Sequence, residues 1–147
     1  MGMIDISGAK SKVSIIAVPT FPQGFTIEEF ATDSDPVVID DIEVNNTEVG
    51  VNGDVVCYKR ATLLNVELSV IPTTESDRNL TILLNSNRLA KNKVATNDDI
   101  TMIITYADGR IVTFSGGVII SGTVANTISS DSKIRTKTYR FTFSNVI

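Results

Sequence analysis

Apolar and polar positions alternate with a period of two along most of this chain, and the apolar ones are largely Val and Ile. Such alternation marks half-buried strands, because successive side chains of a strand point to opposite faces of the sheet. Leu64, Val66, Leu68 and Val70 alternate with Asn65, Glu67 and Ser69, and Pro72 stops the run. Ile100, Met102, Ile104 and Tyr106 alternate with Thr101, Ile103 and Thr105; Asp108-Gly109 then suits a type I′ turn into a returning strand at 110–114. A closing strand spans 136–143, with Tyr139, Phe141 and Phe143 on one face and Thr138, Arg140 and Thr142 on the other. Shorter strands are expected at 13–18, 25–30, 37–44, 49–51, 55–59 and 118–120. Asn52-Gly53-Asp54 is a turn signal between two of them, and Gly116-Gly117 reads as a break ahead of Val118.

One segment abandons the period of two. Leu80, Leu83 and Leu84 are spaced for one face of a helix, although Asn87 interrupts the stripe. Thr74 or Ser76 can cap its start, Glu75 and Asp77 lie in its first turn, and Arg88 and Lys91 follow near its end, an order that suits the helix dipole. This predicts a helix over 76–91, then a polar connection at 91–99, with a further loop at 121–131. Eight or nine strands with one helix make a mainly β protein, a β-sandwich or barrel with a flanking α-helix. No repeat or linker divides the chain, so residues 1–147 read as a single domain. A chain of this length buries roughly 70% of its unfolded surface and supports a core without covalent staples.

Composition removes most chemistry. With no histidine, neither a Ser-His-Asp nor a Cys-His constellation can be drawn, and the lone Cys57 cannot make an intrachain disulfide. Cys57 lies in an apolar strand and is expected to be a buried, inert thiol. The adjacent acids Glu28-Glu29 and Asp40-Asp41 would point to opposite faces of extended chain, which speaks against a paired-carboxylate site. Asp33-Ser34-Asp35 lacks the glycine and distal glutamate of a calcium loop, and no Gly-Lys-Ser follows Gly116-Gly117 to cradle a phosphate. No catalytic residue, cofactor or metal is expected. Lys10 and Lys12 follow the first apolar residues instead of preceding them, so a signal peptide is not expected, nor is a membrane span.

Charge is unevenly spread. Of the 17 acids, Glu28, Glu29, Asp33, Asp35, Asp40, Asp41, Glu43, Glu48 and Asp54 fall between residues 25 and 56, a stretch without a base. Lys133, Arg135, Lys137 and Arg140 fall in the last fifteen residues, without an acid. Such a division suits either two solvated faces or a chain that binds copies of itself, with acidic and basic faces meeting head to tail in rings or filaments.

The order of segments carries a resemblance. It runs from Ile4-Asp5-Ile6-Ser7-Gly8 and Lys12-Val13 through Pro22-Gln23-Gly24-Phe25-Thr26 and Asp33-Ser34-Asp35-Pro36 to Val51-Asn52-Gly53-Asp54 and Val70-Ile71-Pro72. It continues with Ser76-Asp77-Arg78-Asn79-Leu80, Asn87-Arg88, Tyr106-Ala107-Asp108-Gly109-Arg110 and Lys137-Thr138-Tyr139-Arg140-Phe141. Across nearly its whole length the chain resembles the small tail tube proteins of contractile-tailed bacteriophages, some of which are labelled tail fibre proteins. The resemblance implies a structural virion protein, assembled in the host cytoplasm, whose hexameric rings stack head to tail into a hollow tube. That tube would lie inside a sheath protein, between baseplate and terminator proteins, and would pass DNA without binding it specifically. It implies no enzyme activity. The net charge of −4, multiplied around a ring, would repel the passing phosphates. The acidic stretch at 25–56 would include an extended arm or loop reaching the adjacent ring, and Arg135, Lys137 and Arg140 a basic face at a subunit boundary. A tail terminator or baseplate protein of the same fold, or a glycan-binding or adhesive β-sandwich module, are the alternatives.

Overall fold

Nine strands and one helix form in the computed structural model, which describes residues 11–147; the opening motif at 4–8 lies outside them. The strands are β1 (Lys12–Val18), β2 (Phe21–Ile27), β3 (Val37–Ile39), β4 (Asn45–Val49), β5 (Val55–Lys59), β6 (Leu64–Val70), β7 (Asp99–Thr105), β8 (Ile111–Ser121) and β9 (Lys137–Val146), with α1 (Glu75–Ser86) between β6 and β7. Seven of them build one antiparallel sheet in the order β2-β1-β7-β8-β9-β6-β3, while β4 and β5 pair only with each other. The mainly β fold with one helix is as expected. Seven of its strands form one sheet that does not close into a barrel, and the other two form a separate hairpin.

Register follows from the alternation. Val13 and Ile15 of β1 stand opposite Ile104 and Met102 of β7, and Val66 and Leu68 of β6 stand opposite Phe141 and Tyr139 of β9. All eight are buried, and with Ile27, Val70, Ile100, Phe114, Phe143, Leu80 and Leu83 they make one core. Burying each such side chain contributes about 1.5–3 kcal/mol. The sheet is strongly curled around that core. Ile27 of β2 pairs with Val13, yet the carbonyl of Glu29 accepts from the Ile71 amide at 3.0 Å, and Phe30 bridges to Val70. Two residues reach at most about 7 Å, whereas β2 and β6 are five strand spacings apart, or about 24 Å in a flat sheet. Only a curled sheet brings these two strands together.

The helix is capped by Thr74, whose Oγ1 accepts from the Asp77 amide at 3.3 Å, and Leu80 and Leu83 enter the core. It ends at Ser86 instead of running to residue 91, and no base lies in its last turn. Asn87 is the reason. Its side-chain amide donates to the Leu83 carbonyl at 2.8 Å and to Asp98 Oδ2 at 2.7 Å, while its Oδ1 accepts from the Asp98 amide at 3.0 Å. Buried Asp98 also takes the Thr20 amide and hydroxyl, tying the helix end to the β1–β2 turn.

Other expectations are corrected. Gly116-Gly117 does not break a strand: β8 runs through both glycines with a bulge, Gly116 at φ +63°. A Cβ on Gly117 would strike the Phe143 ring, so the aromatic face of β9 requires a glycine there. The strand expected at 37–44 stops at Ile39, where its pairing with β6 ends. Phe21 to Ile27, not 25–30, forms the strand after Pro19. Cys57 is exposed, because β5 packs on no core.

Candidate assembly surface

Between β3 and β6 the chain leaves the sheet and returns as the β4–β5 hairpin, with Asn45 opposite Lys59 and Val49 opposite Val55. Asn52-Gly53 turns it, Gly53 at φ +84°, with the Gly50 amide on the Asp54 carbonyl at 2.7 Å. Register puts Thr47, Val49, Val55 and Cys57 on one face and Glu48, Val56 and Tyr58 on the other. Neither face is covered. Val49 and Val55 are about four-fifths exposed and Val51 is fully so, and no residue of either strand is buried. An isolated two-stranded hairpin is at best marginally stable in water, and an apolar patch this open marks an interaction surface. The residue pattern predicts short strands here and a buried Cys57, not an exposed apolar surface. The signal was there: Val55, Val56, Cys57 and Tyr58 run on without alternation.

The acids of this region take separate roles. Glu28 pairs with Lys12 at 3.3 Å on half-exposed side chains. Glu29 accepts from the Ser76 hydroxyl, and that hydrogen bond holds its carboxyl below the ordinary range. Asp33 accepts from Thr136 Oγ1 at 2.6 Å. Asp35, Asp40, Asp41 and Glu43 are exposed on the way into the hairpin, and Glu48 lies on β4 itself. Asp40, Asp41, Glu43 and Glu48 thus lie on or just before the arm, with Asp54 in its turn, while Glu28, Glu29 and Asp33 are engaged elsewhere.

The bases divide likewise. Lys133 and Arg135 are exposed in the loop before β9. Arg140 faces solvent and pairs with Glu67, directly opposite on β6, at 2.6 Å. Lys137 is 4% exposed, on the same face of β9 as Tyr139 and Phe141, and does not stand with Arg140 on an outer surface. Its Nζ lies 3.0 Å from Asp77 Oδ1 and 2.9 Å from Thr81 Oγ1. Tyr139 donates to the same carboxylate oxygen at 2.8 Å, and the Thr73 amide donates to its mate at 3.0 Å. Burial pushes the Tyr139 hydroxyl far above its ordinary range, with Asp77 acting the same way, so it stays protonated and donates. This satisfied cluster pins the first turn of α1 to β9.

Every base on the seven-stranded sheet is thus ion-paired: Lys12 with Glu28, Lys137 with Asp77, Arg140 with Glu67. Among the described residues no group of three or more His, Cys, Asp or Glu side chains is placed to hold a metal ion, and no helix is long and apolar enough to cross a membrane.

A sequence profile described as tail fiber protein gp32 matches residues 4–147. The chain belongs to that family. No curated protein matches the gp32-family chain in sequence. Solved structures share its fold. A chain of the PVC sheath/tube terminator, from an extracellular contractile injection system in the extended state, is 17% identical with a TM-score of 0.58, over 99% of this chain and 96% of that one. The tube-terminating cap of the anti-feeding prophage gives 13% and 0.57, over 100% and 92%. Its baseplate gives 10% and 0.55, over 100% and 96%. The protein is accordingly a tail component of this fold.

Proposed function

We propose that this gp32-family protein is a tail tube subunit, polymerising as stacked hexameric rings into a hollow conduit for DNA inside a contractile sheath. The uncovered β4–β5 hairpin carries the reading. A fifteen-residue arm that buries nothing in its own protomer needs a second surface to complete it, and a repeating copy supplies one at every step. Asp40, Asp41, Glu43 and Glu48 on and before the arm, and Lys133 and Arg135 ahead of β9, are the charges we assign to subunit contacts. The paired state of Lys12, Lys137 and Arg140 supports passage of DNA, since no unpaired cation on the sheet is left to hold a phosphate. Tube, sheath, baseplate and terminator are the partners this role requires.

A second reading has its own support: the folds it is similar to include a tube terminator and a terminating cap. Negative-stain microscopy of the purified chain separates the two. Tubes of many stacked rings support the tube role; rings that never stack assign the terminator role.

A further inference from the structure

A groove with a cavity volume of about 640 Å³ lies between α1 and the loop after β8. Its floor is the Asp77–Thr81–Lys137 cluster, and its walls are Arg78 and Ile82 on one side and Val124 and Ala125 on the other. Ile82 and Val124 are each about half exposed, and Arg78 makes no ion pair among the described residues. The groove therefore presents apolar rims beside one uncommitted positive charge.

The hairpin has the complementary surface at the opposite end of the protomer. Its tip carries Val49, Val51 and Val55 uncovered, with Asp54 beside them and no base from residue 25 to 56. It springs from the Leu64 end of β6, whereas the groove lies past the Val70 end, where Val70 pairs with Lys137 and Thr73 follows. Seven strand residues put these two ends roughly 20 Å apart. Resting on the reading that the chain assembles with itself, we propose that the hairpin tip of one protomer seats in this groove of a second copy. Val51 and its neighbours cover Ile82 and Val124, and Asp54 meets Arg78. Because the two surfaces differ and lie at opposite ends, the contact is heterologous and joins copies head to tail. It is the axial contact of a stack.

The test exchanges the charges. Asp54 and Arg78 are both exposed and, among the described residues, neither side chain makes an ion pair, so Asp54→Arg and Arg78→Asp leave the fold intact by circular dichroism. Each alone should raise the concentration needed for assembly about tenfold, and the double exchange should return it to within about threefold of wild type. A second variant, Val51→Cys with Val124→Cys in a Cys57→Ser background, should give a covalent ladder on a non-reducing gel after mild oxidation. If wild type assembles while the double exchange shows no rescue and the cysteines give no ladder, the groove is not the receptor and self-assembly still stands. A wild type that stays monomeric at every concentration removes both.

Discussion

Replacing Lys137 by methionine keeps most of the side chain's volume and removes its charge from beneath α1. Asp77 and Lys137 are 3% and 4% exposed and 3.0 Å apart, so the variant leaves a buried carboxylate without its cation. Breaking a buried pair from one side costs 3–5 kcal/mol in general. Here Tyr139 and the Thr73 amide still donate to Asp77, which places the cost near the low end, about 3 kcal/mol. For a domain of this size that lowers Tm by about 6–12 °C. Removing the carboxylate charge as well, with Asp77→Asn and Lys137→Met together, should cost less than the two singles added, with a coupling of about 1–3 kcal/mol. Arg140→Met is the control. Arg140 pairs with Glu67 in solvent, at 58% side-chain exposure, and its loss should cost under about 1 kcal/mol. Urea unfolding at pH 7 compares the four variants with wild type. Equal costs for Lys137→Met and Arg140→Met would refute the burial of Lys137 and return it to an outer basic face.

Three further outcomes rest on other contacts of the fold. Gly117→Ala drives a methyl into the Phe143 ring, and should cost about 1–3 kcal/mol of stability in the same assay. Ser76→Ala removes the hydrogen bond that depresses Glu29 below its ordinary pKa of 4.5, so Glu29 should titrate nearer that value by NMR. Because a lowered pKa contributes stability above 4.5 and loses it as pH falls through the folded value, the gap between wild type and Ser76→Ala should narrow as pH falls below 4.5. Replacing residues 45–59 by a short glycine-serine turn should leave Tm within about 3 °C, since the hairpin adds nothing to the core, while abolishing assembly. A large loss of Tm would mean the arm is part of the fold.

Much of the fold is legible in the residues, because alternation and turn chemistry agree there. Leu64–Val70 is the expected strand, and the Tyr139, Phe141 and Phe143 stripe enters the core as its spacing requires. Period two also placed Lys137 on that aromatic face, two residues before Tyr139. Grouping it with Arg140, three positions away, joined two residues that an extended strand sends to opposite sides. What the local pattern could not carry is long-range pairing. Asn87 looks like a flaw in an apolar stripe until Asp98 is brought beside it, and Gly116-Gly117 looks like a break until Phe143 lies across Gly117. Cys57 misled for a related reason: an apolar strand is buried only if something packs on it, and no described residue covers β5.

That uncovered hairpin makes the concentration dependence of mass decisive. Static light scattering on the purified chain should show mass rising well past the 15.9 kDa monomer toward hexamers and longer polymers as concentration increases. A mass that stays at one protomer across the whole range would contradict assembly through copies of itself.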